Sequence, residues 1–275
     1  MVLISTWFGF YAGIVKLNQS ISSYEPIFII SLVLGALFSS CGVAALNEYI
    51  EADLDKLMDR TKNRPIPSGT ISAKAGLIFG VLMSSIGLAL FWFLVNKGTA
   101  IISALTLVLY LFIYTPLKRK TPLNTLVGAF PGALPPLGGW LAATGKLSKE
   151  AWILFAILFA WQIPHFLSIA WIYRKDYKKG GFKMYTGEKK ITVFRLYIFI
   201  FTFLMIYYSI LPTMVGIAGT FYLASAMILG MIFFFSSMGL ILKQNGRTAK
   251  ILLKTTVFYL PLLLILYIIE QNFIL

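Results

Sequence analysis

The residues of this sequence best suited to chemistry are oxygen-bearing side chains between positions 47 and 59. Five of the ten acidic residues fall between Glu48 and Asp59. Asn47, Glu51 and Asp55 recur every four residues, a spacing that places neighbours on one helix face with Cβ atoms about 5–6 Å apart. Hard oxygen ligands suit Mg²⁺, which typically takes a few carboxylates and keeps waters or phosphate oxygens as its other ligands. The pattern predicts a metal site near a helix end.

Basic side chains follow this acidic stripe directly. Arg60, Lys62 and Arg64 come next, and residues 65–69 (PIPSG) then form a predicted turn. Guanidinium groups bind phosphate oxygens, and a divalent cation beside them neutralises a departing phosphate. Together the two groups predict a site for a diphosphate leaving group.

The elements that position these residues are predicted to be membrane helices. Of the 275 residues, 59% are hydrophobic and 12% are charged, whereas a soluble domain averages about 45–50% apolar and about 25% charged residues. This composition excludes an ordinary soluble enzyme, a disordered chain and a disulfide scaffold. The single cysteine and single histidine exclude an internal disulfide and any multi-histidine metal site. Nine apolar segments are predicted to be helices: 2–15, 26–50, 73–95, 99–117, 123–143, 150–172, 192–212, 215–240 and 251–270.

The basic residues predict the orientation of this bundle. All but four of the 24 lysines and arginines lie in or beside the loops that follow the even-numbered segments. The exceptions are Lys16, Lys97, Lys146 and Lys149. By the positive-inside rule, the N-terminus and the basic loops face the cytoplasm and the C-terminus lies outside. This topology explains the net charge of +14, and we expect no nucleic-acid partner.

Several motifs resemble the UbiA-type intramembrane prenyltransferases. Residues 47–55 (NEYIEADLD) and 58–65 (MDRTKNRP) are similar to the first aspartate-rich motif of that family. Within the family the pattern is most similar to the protohaem IX farnesyltransferase (haem O synthase) branch. Three further stretches agree: 114–119 (YTPLKR), 128–140 (GAFPGALPPLGGW) and 161–166 (WQIPHF). The resemblance covers nearly the whole chain and implies one intramembrane domain over residues 1–275.

This resemblance implies an all-α bundle of about nine transmembrane helices with an active-site cavity facing the cytoplasm, in a bacterial-type cytoplasmic membrane. The implied reaction is Mg²⁺-dependent transfer of a farnesyl group from farnesyl diphosphate to a vinyl group of protohaem (haem B), with hydroxylation. The product would be haem O for haem-copper terminal oxidases, with haem A synthase as a downstream partner. The implied metal ligands and catalytic residues are Asn47, Glu51, Asp55 and Asp176. The implied diphosphate-binding residues are Arg60, Arg64, Lys118, Arg119 and Lys175.

The sequence departs from the family pattern at two positions. Glu51 stands where the family usually has Asp, which lengthens this side chain by one methylene. The second acidic motif keeps Asp176 but has Gly180 in place of a second acid. Haem O synthases resemble this reduced form, so the second departure favours that branch over quinone-type relatives.

His165 is the only histidine and lies within an apolar segment. It precedes Asp176 by eleven positions, about 16 Å along a helix, so we expect it below the membrane surface and away from the acidic stripe. Intramembrane ionisable residues are often functional, but a simple hydrogen-bonded histidine is an equal alternative from the residues alone. The resemblance favours a role with the porphyrin, either as an iron ligand or in proton transfer at the vinyl group.

Two alternatives remain open from the sequence. One is a prenyltransferase that acts on a quinone precursor or a chlorin, against which the WQIPHF stretch and the missing second acid argue. The other is a cation transporter. Transporters often show paired internal repeats with broken helices in matching positions, whereas here glycines and prolines are concentrated in the single segment 128–139. That segment is predicted to be a kinked helix that shapes a site for a bulky acceptor.

Overall fold

The computed structural model describes residues 1–186 and 190–273, and nearly all of them are helical. Lys189, which contributed to the charge count, lies outside the described residues. Helix bounds follow the apolar segments closely. The helices are α1 (Val2–Lys16), α2 (Pro26–Asp55), α3 (Ala73–Val95), α4 (Lys97–Lys120), α5 (Asn124–Thr144), α6 (Lys149–Ile172), the short α7 (Arg174–Lys179), α8 (Ile191–Met214), α9 (Thr220–Lys243) and α10 (Gly246–Phe273).

Hydropathy and length explain why these segments are helical in a bilayer. Within the described residues, eight helices have 21 to 30 residues and apolar windows with mean hydropathy between 1.2 and 2.3. A bilayer core of about 30 Å needs about 20 helical residues, and the helix satisfies every backbone polar group that lipid leaves without a partner. The predicted all-α membrane bundle is therefore confirmed. The protein is an integral membrane protein.

Helix α1 is a short helix whose middle turns are buried. Its 15 residues reach about 22 Å at the usual helical rise. It packs backbone to backbone on the second half of α5, where a Cβ atom added at Gly9 would lie 2.0 Å from the carbonyl oxygen of Pro136. A Cβ at Gly139 would lie 1.9 Å from the carbonyl oxygen of Thr6. Only glycine permits this approach, which is typical of helix packing in membranes.

Helix α5 is interrupted, as its prolines predicted. It consists of two segments, Asn124–Ala133 and Pro135–Thr144. Proline removes a backbone donor and clashes with the preceding turn, so it breaks the hydrogen-bond ladder. Broken helices at membrane depth are tolerated where they are buried in protein or line a cavity. The residues around this break, Pro131, Gly132 and Pro135 among them, line a cavity.

Candidate active site

Three loop regions meet at the end of the bundle where α2, α4 and α6 finish. The backbone amide of Arg60, in the loop after α2, donates to Asp176 Oδ2 at 3.1 Å. The loop after α6 also reaches the end of α4, because the amide of Lys183 donates to the carbonyl of Lys118 at 2.8 Å. Asn124 Nδ2 donates to the carbonyl of Lys183 at 2.8 Å. These contacts join residues that lie far apart in the sequence.

The predicted acidic stripe forms the last turns of α2, which extends to Asp55. Asn47, Glu51 and Asp55 are 9%, 5% and 1% exposed, so one face of the helix end is buried. Asp59 lies beyond the helix and is exposed. The spacing argument for the first three residues is confirmed, and Asp59 does not share their surroundings.

Cations from elsewhere neutralise the buried carboxylates. Lys118 Nζ lies 3.0 and 2.9 Å from the two carboxylate oxygens of Glu51, and Arg64 donates to Asp55 Oδ2 at 2.8 Å. Asn47 Nδ2 also donates to Glu51, at 3.1 Å. Buried charges are stable only when they are paired and hydrogen-bonded. The acidic residues and two of the predicted diphosphate-binding cations therefore form a cluster of two ion pairs, Glu51 with Lys118 and Asp55 with Arg64.

This cluster borders a cavity of about 220 Å³. Six of the predicted site residues line it, together with aromatic and apolar side chains from α4, α6 and the loop after α7. The predicted residues on its wall are Asn47, Glu51, Asp55, Arg60, Arg64 and Lys118. We call this space the polar cavity. It combines carboxylates, an amide and three cations in one place.

Tyrosines that the sequence analysis did not select orient the cations. Lys118 Nζ lies 4.6 Å from the ring centre of Tyr114 and 5.8 Å from that of Tyr110. The Arg60 guanidinium lies 5.2 Å from the ring centre of Tyr173. Such cation–π contacts hold a long side chain in place without neutralising its charge. Tyr110 and Tyr114 belong to a π-helical stretch of α4, Leu109–Tyr114, a feature frequent at functional sites.

Four predicted site residues lie away from the wall of the polar cavity. Asp176 is half-buried beside this cavity and accepts a hydrogen bond from the backbone amide of Arg60. Arg119 and Lys175 are exposed, so their diphosphate role stays a prediction without a contact to support it. His165 lines a different cavity. Thr115 was not selected from the sequence, although it stands in the quoted YTPLKR motif; its Oγ1 donates to Asn47 Oδ1 at 3.0 Å.

The donor chemistry of the polar cavity fits Mg²⁺. Glu51, Asp55 and Asn47 offer hard oxygens on one wall, the ligand type that this ion prefers. Among the described residues, no three acidic, histidine or cysteine side chains converge as a complete cage. Mg²⁺ usually binds proteins through one or two carboxylates plus substrate phosphates. A partial set of this kind therefore fits an ion that shares its coordination with a diphosphate.

Outside the membrane spans, an ion pair ties the loop after α2 to the short helix α7. Asp59 accepts hydrogen bonds from Lys179 at 2.6 Å and from Lys62 at 2.9 Å. The hydrogen bonds of these two cations lower the pKa of the Asp59 carboxyl to about 2. Burial raises the pKa of Tyr177, whose ring lies beside the Arg60 guanidinium. Tyr177 therefore stays neutral at physiological pH.

Two apolar cavities lie deeper in the bundle. The first, of about 260 Å³, lies among α2, α4 and the break in α5 and shares Tyr110 with the polar cavity. The second, of about 180 Å³, contains His165 and shares Phe166 with the polar cavity. Gly132, at the break in α5, lines both apolar cavities. We call them the α2–α4 cavity and the His165 cavity.

His165 is held firmly in its cavity. Its Nδ1 lies 2.8 Å from Thr256 Oγ1 on α10. Its ring stacks on Trp161 with ring centres 4.8 Å apart and an interplanar angle of 17°. Neither partner was selected from the sequence as a site residue, and Thr256 carried no motif signal that would have identified it.

Residues 2–262 match the UbiA prenyltransferase family. The chain belongs to this family. The protein is therefore an enzyme, a prenyltransferase, and the transporter alternative is set aside. It is 39% identical to the Protoheme IX farnesyltransferase of Solibacter usitatus over 98% of this chain and 94% of that protein. It is 38% identical to the Protoheme IX farnesyltransferase of Flavobacterium psychrophilum over 98% of this chain and 90% of that protein.

Solved structures of UbiA homologs share the fold. A UbiA homolog from Aeropyrum pernix, in its apo form, matches with a TM-score of 0.77 at 16% identity, over 96% of this chain and 97% of the other. A UbiA homolog from Archaeoglobus fulgidus bound to GPP and Mg²⁺ matches with a TM-score of 0.57 at 14% identity, over 97% and 96% of the two chains. Within the described residues, the eight long apolar helices and the shorter α1 correspond to the nine predicted segments, so this prediction and the family resemblance are both confirmed.

Proposed function

We propose that this prenyltransferase transfers the farnesyl group of farnesyl diphosphate to a vinyl group of protohaem and forms haem O. In a balanced reaction, the farnesyl carbon bonds to the outer vinyl carbon as diphosphate leaves. Water then adds a hydroxyl to the inner carbon and releases a proton. Relatives that are 38–39% identical to this chain are named Protoheme IX farnesyltransferase, and this name supports the substrate pair. The observation that carries the proposal is the polar cavity, which shares one wall residue with each of two apolar cavities, Tyr110 with one and Phe166 with the other.

We assign the diphosphate to the polar cavity. Arg60, Arg64 and Lys118 line it, and cations of this type bind phosphate oxygens strongly. Asn47, Glu51, Asp55 and the adjacent Asp176 would hold Mg²⁺. When bound, the ion acts as a Lewis acid that neutralises the charge developing on the departing diphosphate. The Archaeoglobus fulgidus homolog bound to GPP and Mg²⁺ supports this assignment by likeness of fold.

We assign the prenyl chain to the α2–α4 cavity. Tyr110 lies on the wall of both this cavity and the polar cavity, so a chain whose diphosphate is bound can continue past it. The α2–α4 cavity is lined largely by apolar atoms, with Phe91, Pro131 and Pro135 among its walls. A water-poor enclosure protects an allylic cation from hydrolysis. The walls of the α2–α4 cavity would therefore bind the prenyl chain and also shield its cation from water.

We assign the porphyrin to the side of the bundle that contains His165. Phe166 lines both the His165 cavity and the polar cavity, and Gly132 lines both the His165 cavity and the α2–α4 cavity. We propose that an acceptor on this side approaches the farnesyl carbon past Phe166, which borders the polar cavity. We place the protein in the cytoplasmic membrane with the basic loops and the polar cavity facing the cytoplasm. We propose haem A synthase as the enzyme that receives the product.

A reconstituted assay tests the substrate pair. Purified protein in detergent is incubated with farnesyl diphosphate, Mg²⁺ and haem, and the porphyrin products are identified by mass spectrometry. We expect haem that has gained one hydroxyl and one farnesyl group. Asp55→Ala, which removes a proposed Mg²⁺ ligand, should lower haem O formation, and Asp53→Ala is its matched control because Asp53 lies on the same helix turn with its side chain 94% exposed.

Two results would contradict the proposal. The first is that the protein prenylates an aromatic quinone precursor or a chlorin but does not prenylate haem. The acceptor would then be the one used by another branch of the family. The second is full haem O formation in excess EDTA, which would remove the metal from the mechanism.

A further inference from the structure

Thr256 on α10 contacts the only histidine of the chain. It is fully buried, and its Oγ1 lies 2.8 Å from His165 Nδ1. The same hydroxyl lies 2.7 Å from the backbone carbonyl oxygen of Leu253, one turn earlier on α10. Thr256 therefore stands between a histidine nitrogen and a carbonyl oxygen.

The protons of this small network can be assigned. A carbonyl oxygen can only accept, and a threonine hydroxyl has one proton to donate. At 2.7 Å the contact between Thr256 Oγ1 and Leu253 O requires that proton, because two lone pairs at this distance repel each other. Thr256 Oγ1 must then accept from His165, so the proton of the neutral imidazole lies on Nδ1. The other ring nitrogen, Nε2, carries the lone pair.

The neutral form of the ring follows from its surroundings. Among the described residues, no carboxylate forms an ion pair or hydrogen bond with His165, and an uncompensated charge at membrane depth is costly. Nε2 has no hydrogen-bond partner in the described part of the chain, and His165 lines an otherwise largely apolar cavity. An unprotonated nitrogen in such a cavity can accept a metal or a proton but cannot give a proton.

The ring is also held against rotation. Trp161 stacks on it, and Trp161 Nε1 donates to the backbone carbonyl of Thr256 at 2.9 Å. The same residue of α10 therefore fixes both His165 and the indole packed on it. A ligand held in this way needs little reorganisation when it binds, as in metal sites where an outer hydrogen bond orients a histidine.

We propose that Thr256 is a positioning residue that sets the tautomer of His165, so that Nε2 ligates the iron of the acceptor porphyrin. A single histidine is a sufficient protein ligand for haem iron. This inference rests on the proposed function, because it takes protohaem as the acceptor. It excludes proton donation by His165, because a neutral histidine protonated on Nδ1 has no proton to give at Nε2, and iron ligation predicts a Soret shift that proton acceptance at Nε2 does not.

The test compares haem with metal-free protoporphyrin IX. Each is titrated by absorbance into the full-length protein in detergent, for wild type, His165→Ala, Thr256→Val and Thr256→Ser. We expect Thr256→Val to weaken haem binding by roughly 10-fold or more, a typical loss for an outer hydrogen-bond partner of a metal ligand, and to shift the Soret band as His165→Ala does. Protoporphyrin IX, which offers no iron, should bind all four proteins alike.

Two controls separate positioning from packing. Thr256→Ser keeps the hydroxyl and should bind haem like the wild type. Thr255→Val removes the hydroxyl of the neighbouring, half-buried threonine, which donates only to its own helix, and should change nothing. Added imidazole should restore the wild-type Soret band to His165→Ala.

The failures of this inference and of the proposed function are distinguishable. If Thr256→Val binds haem with wild-type affinity and spectrum, the inference is overturned while farnesyl transfer to haem stands. The inference is also overturned if Thr256→Val weakens the binding of haem and of protoporphyrin IX equally, because that result assigns Thr256 a role in packing only. If the wild type binds neither porphyrin, the acceptor itself is wrong and both fail.

Discussion

The pairing of Lys118 with Glu51 allows stability and activity to be separated. The side chains of Lys118 and Glu51 are 10% and 6% exposed, and their closest atoms are 2.9 Å apart. Lys118→Met removes the cation but keeps a side chain of similar length. Glu51 would then remain buried with Asn47 Nδ2 as its remaining donor in this cluster.

The size of the effect follows from the burial of this pair. Removing one partner of a buried ion pair costs about 3–5 kcal/mol, because the other charge is left uncompensated. We expect about 3 kcal/mol, the lower end, since Asn47 still donates to Glu51. That loss corresponds to a fall in melting temperature of roughly 6–12 °C at about 2–4 °C per kcal/mol. The double variant Lys118→Met/Glu51→Gln removes both charges and should regain most of this stability.

The assay measures melting in detergent and haem O formation on the same samples. We expect the double variant to melt near the wild type yet to stay at least about 100-fold slower, since it lacks two of the proposed electrostatic groups. Lys120→Met, which removes an exposed cation two residues away, is the control and should change stability by less than about 0.5 kcal/mol. Recovery of activity together with stability would show that the pair is structural. An unchanged melting temperature in Lys118→Met would refute the burial argument.

Three further predictions concern the acidic residues. Asp55→Ala should lower turnover by at least about 100-fold, whereas the exposed Asp53→Ala should not; equal rates would remove Asp55 from the site. Glu51→Asp should retain turnover because it keeps a charged oxygen ligand, whereas Glu51→Gln should impair it; matching rates for the two variants would show that Glu51 is not a metal ligand. The pair Asp59–Lys179 should stay intact from neutral pH to about pH 4 and weaken as the pH falls towards 2, because the folded-state pKa of Asp59, about 2, lies below its ordinary value. Limited proteolysis of the loops across this range should show increased cleavage only at the acid end, and Asp59→Asn should show the increase already at neutral pH.

Local spacing and hydropathy were sufficient to predict the helices and the acidic stripe. Asn47, Glu51 and Asp55 are four residues apart, so their common face follows from the helical repeat alone. The interruption of α5 followed similarly, because the loss of backbone donors at Pro131 and Pro135 is a local property. Such features depend on residues close in sequence and therefore need no knowledge of the tertiary structure.

The choice among the cations needed the tertiary structure. Lys118 and Arg119 are adjacent in the YTPLKR motif and have the same charge, so the sequence treated them alike. Successive residues point about 100° apart around a helix, and only the packing of α4 against α2 turns one of them inward. Lys118 is buried against Glu51, whereas Arg119 is exposed.

The surroundings of His165 show the same limit more strongly. The sequence predicted that this residue lies within the membrane and away from the acidic stripe, because depth along a helix follows from residue number. Which nitrogen of the His165 ring carries the proton, however, depends on Thr256, which lies 91 residues later in the chain. No local pattern connects two residues at that separation. Only the packing of α6 against α10 brings the hydroxyl to Nδ1, and this contact determines which nitrogen of the ring is left to react.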